Sequence, residues 1–362
     1  MPLSKSSSAL AFSAFVFCAT GGFACTDNTS DHTTPTGDDG GAGDDGSTTD
    51  EGGSSTGDGG GPAYSTALSI IVEPSDDGAA LLSAIKNAKK SVHMTMYILT
   101  DSDTISALTA QKGQIDDVKV VLNQNFPGTQ GNSNANAYQA LHNTDASMVT
   151  YASSSFTYTH EKCIIIDGTT AWIMTMNESS SAPTSNREYL AVDNDPADVA
   201  EAEAIFEADF AHASISPSGN LLVAPDNDKA RIRALLGTAT TSIDLEVEEL
   251  SDYDVVNDLA NLADAGSKVR VVLSDITPTS AQSAAMAKLK AHSNVSLVTL
   301  HDPYIHAKAI IVDGARMYVG SANLTENSMD HNRELGLVTE KADVISPVQT
   351  ALNGDFAAGT AL

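Results

Sequence analysis

The sequence predicts an α/β protein made of two repeated halves, and two observations support this. From about residue 68 onward, short apolar runs alternate with amphipathic stretches, the pattern of strands and helices packed in layers. Seven chemically matched residues also recur at a constant offset of 146 positions, which indicates an internal repeat. The matched residues are His160, Lys162, Asp167, Asn177, Asn186, Arg187 and Glu188, followed by His306, Lys308, Asp313, Asn323, Asn332, Arg333 and Glu334.

Residues 1–25 are expected to be an export signal. Lys5 gives a weakly positive start, and the apolar run from Ala9 to Phe17 is too short to span a membrane. Small residues precede Cys25, so this end resembles a lipoprotein processing site with a lipid on Cys25. An ordinary signal peptide cleaved near Ala24 is the alternative. In either case we expect an exported protein, secreted or anchored in the cell envelope.

Residues 26–63 consist almost entirely of Gly, Ser, Thr and Asp. Such a segment has too little apolar surface to offset the entropy lost on ordering, and its charges repel one another. We therefore expect a disordered acidic linker that spaces the folded part from its anchor.

The remainder is long enough for two halves of similar size, 64–215 and 216–362. It carries 18 basic and 38 acidic residues, because Lys5 and nine of the acids lie earlier in the chain. A net charge of −20 repels phosphate backbones and disfavours a nucleic acid partner. Cys163 is alone in this part, so we expect a buried structural thiol and no internal disulfide.

Each half begins with the same predicted series of elements. We expect strands at Leu68–Val72, Ser91–Leu99 and Val118–Leu122, with helices over Gly78–Lys90, Thr104–Ala110 and, after a loop at 123–136, Ala137–Asn143. The counterparts in the second half are strands at Leu221–Val223, Ser242–Leu250 and Val269–Leu273, with helices over Asp228–Ala239, Asp254–Asp264 and Ala281–His292. An edge strand and then the strand of the repeated motif complete each half.

The repeated motif is His-x-Lys followed, after four residues, by Asp. It occurs as His160, Lys162 and Asp167 and again as His306 and Lys308 with Asp313. Because alternate residues of a strand share a face, each histidine points the same way as its lysine. An imidazole beside an ammonium group makes a site for an anion, so two such half-sites are expected to meet. The aspartates have the opposite parity at the strand end, and we interpret them as structural turn or ion-pair residues.

These residues resemble the phospholipase D superfamily, whose signature is two copies of this motif. The resemblance covers residues 66–358. It implies two α/β/α sandwich halves packed face to face, with the active site at their pseudo-twofold interface. It also implies cleavage of a phosphodiester through a phosphohistidine, which either water or an alcohol can then capture.

The resemblance assigns roles to the matched residues. His160 is expected to be the nucleophile and His306 the general acid and base, while Lys162 and Lys308 hold phosphate oxygens. Glu188 and Glu334 are expected to fix the histidine tautomers through the far ring nitrogen. Four further residues are predicted phosphate ligands: Asn177, Asn323, Ser321 and Thr175.

The leading hypothesis is a phospholipase D that hydrolyses glycerophospholipids to phosphatidic acid and a free head group at a membrane surface. It needs no cofactor and no metal, because lysines and asparagines supply the charge. With both half-sites in one chain, we expect a monomer. The alternatives are a nuclease of the same superfamily and a non-catalytic phosphate-binding module. A cardiolipin synthase is disfavoured because we see no N-terminal transmembrane helices.

Overall fold

A computed structural model of the protein describes residues 67–127 and 131–362. The predicted signal, the linker and Cys25 lie outside the described residues, as do three positions of the 123–136 loop. The first half contains the following elements in chain order: β1 Leu68–Glu73, α1 Ala79–Asn87, β2 Ser91–Met96, α2 Ser102–Lys112, β3 Asp117–Leu122, α3 Ala135–Thr144, β4 Val149–Tyr151, β5 Lys162–Ile166, β6 Thr170–Met174, α4 Ala182–Ser185, β7 Asn186–Asp193 and α5 Pro196–Phe210.

The second half repeats this series. Its elements are β8 Leu222–Ala224, α6 Asp228–Leu236, β9 Ser242–Val247, α7 Tyr253–Asp264, β10 Lys268–Ser274, α8 Ser280–Lys290, β11 Val295–Leu300, β12 Tyr304–Ile305, β13 Lys308–Val312, β14 Arg316–Gly320, α9 Glu326–His331, β15 Glu334–Thr339, α10 Ala342–Ala358 and β16 Thr360–Ala361.

The two sheets have the same strand order, which confirms the α/β repeat. The first runs β1-β7-β6-β5-β2-β3-β4, and the second runs β8-β15-β14-β13-β9-β10-β11 with β16 added beyond β11. In the first sheet β2, β3 and β4 pair in parallel, as do β9, β10 and β11 in the second, whereas the motif strands β5 and β13 pair antiparallel with their neighbours. Parallel neighbours need a crossover helix, while β5 and β6 are joined by the tight turn at Asp167 and Gly168.

Apolar residues form three clusters that define the layers. One lies between the first sheet and helices α1 to α3, and another lies between the second sheet and helices α6 to α8. The third joins the inner faces of both sheets and takes in α5 and α10. Cys163 is buried in the third cluster, as the sequence predicted, and Trp172 is buried in the first.

The strands that lead toward the site are shorter than predicted. β2 and β9 end at Met96 and Val247, three residues before the predicted ends, because the chain there leaves the ladder. One strand also changes sheets: β12 belongs to the second half but pairs with β7 of the first. None of the helices in the described part of the chain has the length and apolar character needed to cross a membrane.

Candidate active site

Near the start of each motif, the backbone of one half pairs with the backbone of the other half. Tyr304 and Ile305, just before His306, run parallel to Asn186 and Arg187, just before Glu188. The equivalent contact is an isolated bridge between Thr159 and Arg333, next to His160 and Glu334. His160 N donates to Arg333 O over 2.9 Å, which fixes this register. Each histidine is therefore placed beside the glutamate of the other half.

The side chains complete these two crossed pairs. His160 Nδ1 lies 2.9 Å from Glu334 Oε2 and 3.0 Å from Glu334 Oε1. His306 Nδ1 lies 2.8 Å from Glu188 Oε1. Both glutamates are fully buried, and the histidines are 9% and 7% exposed. A carboxylate at Nδ1 directs the second ring nitrogen, Nε2, away from the protein framework and toward any substrate.

The hydroxyl groups predicted to bind phosphate lie elsewhere in the site. Thr175 Oγ1 donates to Glu188 Oε2 over 2.5 Å, and Ser321 Oγ donates to Glu334 Oε2 over 2.6 Å. Each also accepts from a backbone amide, and both residues are fully buried. The structure thus places these hydroxyls behind the glutamates, where they orient the carboxylates.

Further side chains complete the carboxylate environments. Asn186 Nδ2 donates to Glu188 Oε1 over 3.0 Å, and Asn332 Nδ2 donates to Glu334 Oε1 over 3.1 Å. Ser328 adds a hydroxyl donor to Glu334. Burial opposes the ionisation of both glutamates, but the histidines, the lysines and the hydroxyls of Thr175 and Ser321 hold the pKa of each carboxyl below its usual value.

The same buried environment favours a neutral His160. Burial lowers the pKa of His160 to about 4 and outweighs the attraction of Glu334, while the nearby Lys162 and Lys308 act in the same direction as burial. With Glu334 ionised, the single ring proton lies on Nδ1. The Nε2 lone pair of His160 is then available at neutral pH.

Both motif lysines are completely buried, and their surroundings differ. Each ammonium group donates to the carbonyl oxygen of its own histidine, over 2.5 Å for Lys162 and 2.6 Å for Lys308. Burial lowers the pKa of Lys162 to about 7, opposed by Glu334 and reinforced by the charge of Lys308. Since Lys308 acts on both His160 and Lys162, the two half-sites share one electrostatic environment.

Glu248 is a site residue that sequence reasoning missed. Lys308 Nζ donates to Glu248 Oε2 over 2.9 Å, His306 Nε2 lies 3.7 Å from the same oxygen, and Tyr304 OH donates to Glu248 Oε1 over 2.7 Å. The equivalent position in the first half, 151 residues earlier, is Tyr97. The signal available in the sequence was that these equivalent positions, at the end of a repeated strand, hold a charged residue in one half and an aromatic residue in the other.

Each of the two predicted asparagine ligands has one buried polar atom without a hydrogen-bond partner among the described residues, and Asn323 contacts a residue of the site. The Oδ1 atoms of Asn177 and Asn323 are buried and have no hydrogen-bond partner among residues 67–127 and 131–362. Asn323 Nδ2 lies 3.4 Å from Glu248 Oε2. Their role as phosphate ligands stays a prediction.

Asp167 and Asp313 occupy the turns after β5 and β13 with positive φ angles of 58° and 55°. Asp167 Oδ1 accepts from the backbone amides of Lys89, Lys90 and Ser91. Asp313 likewise accepts from the backbone of 240–242. These contacts are structural and lie at the far end of the motif strand from the histidine.

A second pair of crossed contacts supports the site from behind. Arg187 Nε lies 2.6 Å from Asp355 Oδ2, and Arg333 Nε lies 3.0 Å from Asp209 Oδ2. Each pair joins the two halves, and the positions correspond across the repeat. The arginine that precedes each motif glutamate therefore stabilises the interface between the halves, while the glutamate itself contacts the histidine.

The structure also brings together three potential metal ligands that the sequence did not predict. Ligand atoms of His93, Glu203 and Glu207 lie within 4.8 Å of one another. Lys119 Nζ lies 2.6 Å from Glu207 Oε1, so an internal cation already balances this cluster. A cleft of about 670 Å³ beside α5 is lined by Glu203 and Glu207 and contains none of the motif residues. We assign no metal here.

The paired histidines can carry out two-step displacement at phosphorus. One neutral imidazole with a free Nε2 is a nucleophile, and a second imidazole can donate and recover a proton. Two buried ammonium groups can stabilise charge on non-bridging oxygens.

Comparisons with known proteins agree with this geometry. A family model described as "Cardiolipin synthase, PLD-like domain" matches residues 81–210 and 232–356. The 5′-3′ exonuclease PLD3 of Bos taurus is 31% identical over 156 residues, which cover 40% of this chain and 32% of that protein. The chain thus matches about a third of the length of this relative.

Two solved structures share the fold across most of the chain. The phosphatidylserine synthase of Haemophilus influenzae Rd KW20 superposes with a TM-score of 0.64 at 12% identity, covering 83% of this chain and 89% of that one. The polyphosphate kinase of Porphyromonas gingivalis superposes with a TM-score of 0.61 at 16% identity, covering 81% of this chain and 50% of that one. With its repeated motif, its two matching sheets and a family match in both halves, the chain belongs to the phospholipase D superfamily.

Proposed function

We propose that this protein is a phospholipase D that hydrolyses glycerophospholipids through a phosphohistidine on His160. The observation that carries the proposal is the crossed arrangement of His160 with Glu334 and His306 with Glu188. It presents two imidazoles, each oriented by a buried carboxylate, to one site between the halves. A binding module would need neither carboxylate.

In the first step, His160 Nε2 attacks phosphorus and forms the P–N bond. The P–O bond to the head group breaks, and the leaving oxygen takes a proton from His306 Nε2. In the second step, His306 Nε2 removes a proton from water, the water oxygen bonds to phosphorus, and the P–N electron pair returns to His160. An alcohol in place of water gives transfer instead of hydrolysis.

The assignment of nucleophile follows from charge. Burial keeps the pKa of His160 at about 4, so the ring is neutral at pH 7 and its Nε2 can attack without first losing a proton. Glu334 then stabilises the positive charge that the ring acquires in the phosphohistidine. Lys162 and Lys308 lie beside the two histidines and supply charge that a metal ion would otherwise supply.

A lipid substrate is favoured by charge and by the residues around His160. The net charge of −20 on residues 64–362 opposes the approach of a polyanion. Tyr97 lies edge-on to His160 at 4.5 Å between ring centroids, with Phe126 and Tyr158 packed on it at 5.2 and 6.2 Å. This aromatic group suits the apolar part of a lipid, or the choline of a head group. A zwitterionic lipid avoids the repulsion that an anionic surface would meet.

A nuclease is the second candidate, and one observation favours it. The relative matched in sequence is named a 5′-3′ exonuclease, and aromatic rings beside a phosphate site can also stack on bases.

Export, with or without a lipid on Cys25, remains part of the proposal and suits an extracytoplasmic lipid substrate.

The test is release of phosphatidic acid from phosphatidylcholine and phosphatidylethanolamine vesicles in excess EDTA, with His160→Asn as the matched control. We expect release by the wild-type protein and none by the variant. Cleavage of single-stranded DNA alone would favour the nuclease. Phosphate binding without turnover on either substrate would contradict the proposal and favour a non-catalytic module. Size-exclusion chromatography with light scattering tests the expected monomer.

A further inference from the structure

One difference between the two half-sites places a carboxylate against a motif lysine in the second half only. Tyr97 and Glu248 occupy equivalent positions, because each follows the strand residue paired with a motif lysine: Met96 opposite Lys162 and Val247 opposite Lys308. In the first half an aromatic ring faces the lysine, with Lys162 Nζ 5.0 Å from the ring centroid of Tyr97. In the second half a carboxylate faces it.

Glu248 lies where a phosphate oxygen would bind in the second half-site. Its Oε2 accepts from Lys308 Nζ at 2.9 Å and lies 3.7 Å from His306 Nε2 and 3.4 Å from Asn323 Nδ2. These three groups are the histidine, lysine and asparagine expected to surround the substrate. Glu248 N also donates to Ala307 O over 3.1 Å, so the backbone fixes the carboxylate beside the motif.

The carboxylate is charged in this position. Burial opposes ionisation, but Lys308 and His306 hold the pKa of Glu248 far below its usual value. The charge of Lys308 is therefore matched before any substrate arrives. Lys162 forms no ion pair with a carboxylate among the described residues, and its ammonium donates to His160 O. The cations left for a substrate are concentrated on the His160 side.

We propose that Glu248 is a specificity-determining residue that restricts the site to singly charged phosphodiesters and disfavours dianionic phosphate. The inference rests on the proposed function, because it concerns the same site. A diester carries one negative charge, whereas the monoester product and inorganic phosphate carry close to two above pH 7. The second charge would lie beside Glu248 in a buried, weakly screened site. Glu248 therefore selects the substrate over its product and promotes product release.

Calorimetric titration with two simple anions tests this without requiring turnover. Inorganic phosphate serves as the anion that carries a second charge and dimethyl phosphate as the monoanionic diester, both at pH 7, where Lys162 retains part of its charge. We expect the wild-type protein to bind dimethyl phosphate more tightly. Glu248→Gln removes the charge at constant size and should strengthen phosphate binding at least tenfold, with a smaller effect on dimethyl phosphate. Glu340→Gln, in an exposed ion pair with Arg316, is the matched control and should leave both affinities unchanged.

Unchanged phosphate affinity in a folded Glu248→Gln protein would overturn the proposal. If that variant does not fold, judged by circular dichroism, the wild-type comparison decides: phosphate binding equal to or tighter than dimethyl phosphate binding overturns the proposal. The outcomes of this test can be distinguished from the outcomes of the test of the proposed function. A protein that hydrolyses no lipid but shows the expected affinities keeps the role of Glu248 in anion selection and loses the enzymatic assignment.

Discussion

Glu334 follows His160 by 174 positions, yet its carboxylate lies 2.9 Å from the imidazole Nδ1. The relationship is reciprocal, because Glu188 of the first half contacts His306 of the second at 2.8 Å. Neither half therefore holds a complete histidine–carboxylate pair, and the site exists only when the two sheets are packed together.

Replacing the glutamate tests this dependence. Glu334→Gln retains a hydrogen-bond acceptor at His160 Nδ1 but removes the charge that stabilises the phosphohistidine. We expect kcat to fall by about 10²–10⁴-fold with little change in fold. Steady-state kinetics on the accepted diester give the value, and Glu340→Gln, in an exposed surface ion pair, is the control. A variant of Glu334 with wild-type kcat would contradict the pairing.

The pH dependence of kcat/KM should have two limbs. Protonation of His160, whose pKa is lowered to about 4 by burial, removes the nucleophile on the acidic side. Deprotonation of Lys162, whose pKa is lowered to about 7 by burial, removes a phosphate-binding charge on the alkaline side. Activity should therefore be greatest between these values and fall on either side.

The variant Lys162→Arg tests whether deprotonation of Lys162 causes the alkaline limb. An arginine stays charged throughout the accessible pH range, so the limb should move upward even if the overall rate declines. The measurement is a kcat/KM profile from pH 4 to 9 for both proteins. An alkaline limb that stays near pH 7 in the variant would assign it to another group.

The interface depends on the buried pair between Arg333 and Asp209. Arg333 is 3% exposed, so Arg333→Ala leaves an uncompensated carboxylate in the interior. We expect a loss of about 3–5 kcal/mol in the free energy of unfolding by urea denaturation. Arg316→Ala removes an exposed pair with Glu340 and should cost less than about 1 kcal/mol. Equal losses in both variants would argue against a special role for the crossed pair.

Asp313 should matter for stability and not for chemistry. Asp313→Ala leaves three backbone amides without an acceptor and places alanine at a φ of 55°, costing about 2–4 kcal/mol. Asp313→Asn keeps an acceptor oxygen and tolerates this backbone, so it should cost less. kcat per folded molecule should be unchanged in both, and a fall in kcat at full stability would contradict this.

The same aspartate gives a pH signature. Its hydrogen bonds hold the pKa of Asp313 below its usual value, although burial opposes this. The wild-type advantage over Asp313→Asn is then complete above about pH 4 and is lost as the pH falls through the pKa of the folded state. Urea denaturation at pH 7 and pH 3 measures the difference, which should be smaller at pH 3.

The sequence was sufficient for the fold because each half is locally consistent. Apolar periodicity located the main strands and helices, and the constant offset of 146 revealed the repeat without any structural information. Strand parity also separated Asp167 and Asp313 from the residues of the site. The strand ends were less accurate, since β2 and β9 leave the ladder where the chain turns toward the histidines.

The contacts between halves could not be predicted from the sequence. Spacing places Glu188 after His160 in the chain, but the exchange of β12 onto β7 decides which histidine it meets. Thr175 and Ser321 were expected to face phosphate, and only the packing shows that they turn toward the glutamates. Glu248 lies outside the motif, and it becomes visible only when its position is compared with Tyr97.

The central claim is that His160 forms the covalent intermediate, and the most direct measurement is rapid-quench analysis with bis(p-nitrophenyl) phosphate. p-Nitrophenolate leaves without acid assistance, whereas release of the phosphohistidine requires His306 as base. His306→Asn should therefore give one p-nitrophenolate per active site and a stable phosphoryl group on His160, found by mass spectrometry after a denaturing quench at alkaline pH, where the P–N bond survives. His160→Asn should give no burst. A burst in His160→Asn with the label on His306 would reverse the roles, and the absence of any covalent adduct in either variant would contradict the account.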